Sequence, residues 1–395
     1  MPTASVKTVL PLSLLTGVSV LSMDFYLPAV PNLQASFGID VTLAQATITL
    51  FLAGLAASQL LWAELLTRIG PRRSVQIGIW LLVATNVACA LATTIQVLLV
   101  MRLIQGFAAG AAMVVAPSVV RATLPDEHAV RGIAMISMVE AIIPAAGPVL
   151  GAALLGYADW RGTFWVLGAL TLLALPLVLR VTPRELPGLD RTVDATYAAV
   201  LGKSKFRRLA VSHALSFGAL ITFVASAPQL MANALGLGAS AFPALQVLGA
   251  ASFIVVASQA GRISKRLGVA AAIQLGACLQ AALCAAMLVL SFFISLPFAG
   301  IAVFWCAFCG GLAVRGPATF TEVLALPPAQ MGRASGLLTL AVLVVGACGT
   351  QLAAPFMGGS SVAPLLTVML AACLLSLAAV LPYPHMRDQA ATVAP

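Results

Sequence analysis

Twelve stretches of this chain are long and apolar enough to cross a lipid bilayer, and that repetition constrains the fold more than any other feature. A membrane-crossing helix needs about 20 mostly apolar residues, because each adds about 1.5 Å against a hydrocarbon core about 30 Å thick. The runs are Val9–Val30, Ala44–Leu66, Val75–Ala92, Val97–Val120, Gly132–Gly156 and Thr163–Leu179, then Leu209–Met231, Ala241–Ile263, Val269–Ile294, Leu296–Val314, Ala334–Met357 and Val362–Leu381. They lack the two-residue alternation of a transmembrane β-barrel, so each is predicted to be a helix that satisfies its own backbone. Composition excludes a soluble alternative. Of 395 residues, 61% are hydrophobic and 8% charged, with a mean hydropathy of +1.05, whereas soluble domains carry roughly 25% charged residues. The fold class expected is an all-α membrane protein.

Orientation follows from the basic residues, which favour cytoplasmic loops. With both termini placed inside, all 21 lysines and arginines except Arg102 and Arg161 fall on the cytoplasmic side. The formal charge of +9 then reflects this bias, not a nucleic-acid surface. The first run is too long for a cleavable signal peptide, and no small-residue cleavage site precedes its aspartate. The expected location is the cell inner membrane, multi-pass. All seven cysteines lie in apolar runs. Cys306 and Cys309 are spaced C-x-x-C, yet no second pair or histidine accompanies them, so they are read as packing residues and no metal is expected. No phosphate-binding G-x-x-x-x-G-K-[ST] loop occurs, and no cofactor or catalytic constellation is expected.

The polar segment 182–208 separates an N-terminal six-helix bundle, 1–181, from a C-terminal one, 209–395. A short surface helix is predicted near Ala195–Leu201. The halves repeat one another. "AVPNL" (29–33) and "SAPQL" (226–230) end the first and seventh runs; "TRIG" (67–70) and "KRLG" (265–268) follow the second and eighth; "RGIA" (131–134) and "RASG" (333–336) open the fifth and eleventh. The three pairs keep nearly one spacing. Two parallel six-helix halves related by an axis along the membrane normal is a transporter layout.

Ionisable residues inside such runs are costly and therefore informative. A carboxylate at mid-helix costs about 2.5–3.5 kcal/mol on insertion scales. Asp24, in "SMDFYLPAVP", lies roughly 10 Å inside the helix end counted from Pro31 at about 1.5 Å per residue. It is either a hydrated, inert carboxylate or a cavity-wall group able to carry a proton, which asparagine could not do. Arg102 either snorkels to the outer surface or faces inward. Glu140, about mid-depth in the fifth run, is either a substrate or proton site or the partner of a hydroxyl or arginine. Arg315 and Glu322 flank Pro317 and are expected in a gate or loop salt bridge. His213 is expected as a polar residue near the inner end of the seventh run. Tyr26, Gln105, Glu140, Phe217, Phe223 and Met231 are candidates to line a substrate cavity.

Several motifs resemble the major facilitator superfamily. "WAELLTRIGPRR" (62–73) is similar to its G-x-L-A-D-R-x-G-R-R motif, matching at Arg68, Gly70, Arg72 and Arg73, with Ala63 and Thr67 replacing the usual Gly and Asp. "MRLIQGF" (101–107) resembles R-x-x-Q-G, through Arg102, Gln105 and Gly106. "AGPVLG" (146–151) resembles the antiporter motif G-P-x-x-G, through Gly147, Pro148 and Gly151; its proline kinks a helix and its glycines admit a close neighbour. The eleventh run has Gly349 but Thr350 in place of the proline. More narrowly, "MDFYLPAVP" and "DWRGTFW" (159–165) resemble the bicyclomycin and chloramphenicol resistance (Bcr/CflA) group of drug exporters.

The resemblance implies a major facilitator fold, with Arg102 facing the cavity and interacting with Asp24. It implies a proton-coupled antiporter, not an enzyme, that exports small, largely apolar organic molecules or drugs. A dedicated exporter of one endogenous metabolite, such as a siderophore, uses the same parts, and an uptake symporter is the third reading. The expected partners are the small-molecule substrate, protons and membrane lipid, with no nucleic acid. The chain is expected to function as a monomer, since one chain supplies both halves.

Overall fold

The computed structural model describes residues 3–185, 196–237, 241–323, 325–359 and 361–381. Pro187, Arg191, His385, Arg387 and residues 186–195 of the expected linker lie outside them. The described chain is helical throughout. Its long helices are α1 (Thr3–Asp24), α2 (Val41–Ile69), α3 (Pro71–Ala90), α4 (Ile95–Thr123), α5 (Asp126–Leu154) and α6 (Trp160–Val181), followed by α7 (Ser204–Gln229), α8 (Ala241–Leu267), α9 (Val269–Phe293), α10 (Phe298–Val323), α11 (Pro328–Ala353) and α12 (Ala363–Val380). Each contains a segment long and apolar enough to span a membrane, twelve among the described residues. A short helix, Tyr197–Leu201, sits where the sequence predicts one.

Local chemistry sets the starts of these helices. Asp40 caps α2 by accepting the Leu43 amide at 2.9 Å, and Asp159 caps α6 by accepting that of Arg161 at 3.1 Å. Each satisfies an amide that has no partner within the helix. Several ends depart from the apolar runs, and two have a local cause or consequence. The first run extends to Val30, yet α1 stops at Asp24 and a 3₁₀ turn, Leu27–Ala29, follows. Pro28 lacks the N–H that would bond the Asp24 carbonyl, which favours ending the α-helix there. The tenth run was expected to end at Val314, but α10 continues to Val323 and holds Arg315 and Pro317 inside it.

The chain divides into two compact units, Met1–Arg191 with Gly238–Ala244, and Thr192–Leu237 with Leu245–Pro395. In the first, α2 crosses α4 at backbone contact. A Cβ on Gly54 would lie 1.9 Å from the Leu103 carbonyl oxygen, and one on Gly106 equally close to that of Phe51. No larger residue fits either position. α1 packs on α4, α5 and α6, and α3 on α4 and α6. In the second unit α7 packs on α11 and α12, and α9 on α10 and α12. Four glycines among the described residues have positive φ: Gly38 (64°), Gly70 (79°), Gly236 (61°) and Gly268 (86°). They form two pairs, Gly38 with Gly236 and Gly70 with Gly268, at one spacing. The two halves therefore turn with the same backbone geometry.

Candidate functional site

Asp24 is the last α-helical residue of α1 and only 5% exposed. Its surroundings come from α5. A Cβ on Gly147 would meet the Asp24 Cβ at 2.8 Å, and one on Gly151 would lie 2.2 Å from the Phe25 carbonyl oxygen. The two glycines of the G-P-x-x-G motif thus let α5 touch the α1 backbone beside the aspartate. Pro144 and Pro148 both lie within that helix. Two motifs that are 120 residues apart in sequence numbering, roughly, meet at one carboxylate. Among the described residues Asp24 makes no hydrogen bond and no ion pair.

Arg102 is completely buried and lies between two rings, 4.5 Å from the Tyr26 centroid and 4.3 Å from that of Phe51. Such stacking stabilises a desolvated guanidinium by about 2 kcal/mol. Its Nη1 donates to the Ser22 carbonyl at 3.1 Å and to Gln105 Oε1 at 2.6 Å, and its Nε to the Thr47 carbonyl at 3.3 Å. Nη2 has no partner among the described residues. Gln105 in turn donates to Asn86 Oδ1 at 2.9 Å, which carries the polar chain from α1 through α4 to α3. The expected ion pair with Asp24 is absent here. Arg102 reaches the α1 backbone two residues before the carboxylate and is held by neutral acceptors instead.

Other expectations divide. Tyr26 donates to Thr47 at 3.0 Å and is completely buried, as is Gln105. Both serve Arg102 rather than an open cavity. Phe223 is stacked on Trp305 at 4.2 Å with 1% exposure, and Met231 is equally enclosed. Both are buried in the second unit, Phe223 beneath Phe304 and Trp305. Phe217 and Glu140 are partly exposed. Phe217 stacks on His213 at 4.4 Å, whereas Glu140 has no hydrogen bond or ion pair among the described residues. Arg68 pairs with Glu64 at 2.8 Å, while Gly70, Arg72 and Arg73 line an open pocket where α2 gives way to α3. The "DWRGTFW" segment fastens the start of α6: Trp160 donates to Ser36, Arg161 to the Ala92 carbonyl, and Phe164 packs 5.1 Å from Tyr26.

Arg315 does not pair with Glu322. Glu322 meets Lys205 at 2.7 Å, and Arg315, 1% exposed, donates to the hydroxyls of Ser212, Ser216 and Ser376. Ser216 extends the network to Gln280 at 3.0 Å. Sequence reasoning missed this cluster, and it missed Asn86 and Thr47 in the first half. The available signal was each isolated polar residue inside an apolar run, which is rarely left facing lipid.

Known proteins resemble this arrangement. The chain is 26% identical over 231 residues to the multidrug resistance protein MdtL of Escherichia coli O157:H7 (strain EC4115 / EHEC), and equally to that of Escherichia coli O127:H6 (strain E2348/69 / EPEC). These matches cover 58% of this chain and 59% of the relatives, so the chain spans less than two thirds of their length. Its backbone superposes with a TM-score of 0.73, at 14% identity and 96% coverage of both chains, on a bacterial homolog of the human lysosomal transporter Spinster in an inward-facing, unoccupied conformation. The occupied form of that homolog gives 0.70 at 15% identity over 94% of both chains, and at such identities the likeness speaks for the fold alone. The family model of the Major Facilitator Superfamily matches residues 12–350, and the chain belongs to that superfamily of membrane transporters.

Proposed function

We propose that this protein is a proton-coupled antiporter of the inner membrane that exports small, largely apolar organic molecules, with the Bcr/CflA group of drug exporters as its subfamily. One observation carries the reading. Asp24 is a nearly buried carboxylate with no ion-pair partner among the described residues, its Cβ set against Gly147 of the proline-bearing helix α5. A carboxylate kept at membrane depth is expensive, so such residues mark ion and proton pathways. Contact of Asp24 with Gly147, and of the neighbouring Phe25 with Gly151, ties its environment to movement of α5. Asp24 carries the proton, and Arg102, whose Nη1 bonds the Ser22 carbonyl of α1 and whose Nη2 is unused among the described residues, is the group that engages the ionised form in another conformation. Glu140 acts in substrate selection. Similarity to multidrug resistance proteins over part of their length supports the same substrate class.

The test is transport by the purified full-length chain in proteoliposomes with an imposed pH gradient. Hydrophobic drugs should move against protons, and dissipating the gradient should abolish accumulation. Substrate movement in the same direction as protons would establish symport. Counterflow without any response to the gradient would remove proton coupling from the account.

A further inference from the structure

Three arginines without partners among the described residues converge on the pocket between the α2–α3 turn and the segment that follows α6. The pocket is open, about 880 Å³ in volume, and is lined by Leu66, Ile69, Arg72, Arg73, Arg184 and Glu185 with their neighbours. Arg72, Arg73 and Arg184 make no hydrogen bond or ion pair among the described residues. Arg68, also in the wall, is bound to Glu64. Thr67 turns its hydroxyl back to the Glu64 carbonyl at 2.8 Å and adds no charge. The remaining carboxylate, Glu185, leaves the three free guanidinia with an excess of positive charge. Gly70 holds the two walls together: at φ 79° it brings the turn so close that a Cβ would lie 2.6 Å from the Arg184 carbonyl oxygen.

The location selects the ligand. α2 ends at Ile69, α3 begins at Pro71 and α6 has ended at Val181, so the pocket lies where three membrane-spanning helices reach the bilayer surface. Leu66 and Ile69 give it an apolar wall beside the charged ones. A phosphate diester flanked by acyl chains matches both walls, and arginine is suited to bind phosphate oxygens in pairs. Basic pockets among membrane helices bind anionic lipid headgroups for these reasons. We propose that this pocket is a binding site for the headgroup of an anionic phospholipid.

The experiment measures lipid retained by the purified full-length protein, by native mass spectrometry, after reconstitution in phosphatidylcholine with or without phosphatidylglycerol. The unmodified protein should retain phosphatidylglycerol in preference to phosphatidylcholine. Arg72→Gln, Arg73→Gln and Arg184→Gln should each weaken that retention about five-fold, the effect of one basic residue at a membrane surface. Arg262→Gln, at an exposed position outside the pocket, should leave it unchanged. Circular dichroism checks folding, and Arg72→Lys should keep only part of the retention, since the charge survives but the paired donors do not. Equal retention of the two lipids, or no effect of the three glutamine variants in folded protein, would overturn the proposal. So would displacement of the lipid by inorganic phosphate bound through the same arginines, which would make the site one for free phosphate.

Discussion

Asp24 and Arg102 show how much a single residue type at membrane depth discloses. Their cost in an apolar run marks them without any structure, and both prove buried. Their arrangement was not legible. The partners of Arg102 are two backbone carbonyls, the face of Phe51 and an amide chain ending at Asn86, none of which a motif spacing encodes. A backbone acceptor in particular has no sequence signature. The titratable group of Asp24 is the property that matters if it carries the proton. Asp24→Asn is expected to reach the membrane folded, since amide and carboxyl are nearly isosteric, yet to lose transport driven by a pH gradient. Asp24→Glu should retain part of it. Glu140→Gln, measured alongside, should alter the range of substrates, cations above all, while leaving the response to the gradient. Proton-driven export by Asp24→Asn at the unmodified rate would reduce Asp24 to a structural residue.

At the level of helices the apolar runs located all twelve elements, because a 30 Å hydrocarbon layer forces length and composition together. The ends were less legible, as proline at position 28 and the serine-bound Arg315 each shifted one. What the runs do not reveal is how closely the helices approach. Transmembrane association relies on packing, and small residues let backbones come near. Gly106, recognised only as part of a motif, is the position at which α4 touches the Phe51 carbonyl of α2. Gly106→Ala should therefore force the two helices apart and cost about 1–3 kcal/mol, the usual range for overpacking. Gly261→Ala is the comparison. No atom lies within 4 Å of a Cβ there and the site is exposed on α8, so relief of backbone entropy should leave stability unchanged or raise it by about 0.5–1 kcal/mol. Thermal unfolding of the two variants in detergent measures the difference, and equal midpoints would refute the packing argument.

The whole molecule is a duplication that kept its turns while its polar sites diverged. Gly70 and Gly268 share extended backbone at positive φ (ψ 166° and 151°), and Gly38 and Gly236 repeat the match. Where α5 presents Gly147 to Asp24, α11 presents Gly346 to Ile221 and Gly349 to Thr222. The same close crossing is thus built without a carboxylate. We propose that each unit begins on the cytoplasmic side, because nearly all basic residues fall at alternate helix ends. Cysteines introduced one at a time test this directly. Asp40→Cys and Asp159→Cys stand at the starts of α2 and α6, both exposed, and should react with a membrane-impermeant thiol reagent added to intact cells. Gly202→Cys, beside the short helix Tyr197–Leu201, should react only after the membrane is opened. The native cysteines lie in apolar helices, and the unmodified protein sets their background. Removing either aspartate also removes a helix cap at a cost of about 1 kcal/mol, so labelling is compared at equal amounts of folded protein. Reaction of Gly202→Cys in intact cells would invert the topology, and with it the side from which Asp24 would take up its proton.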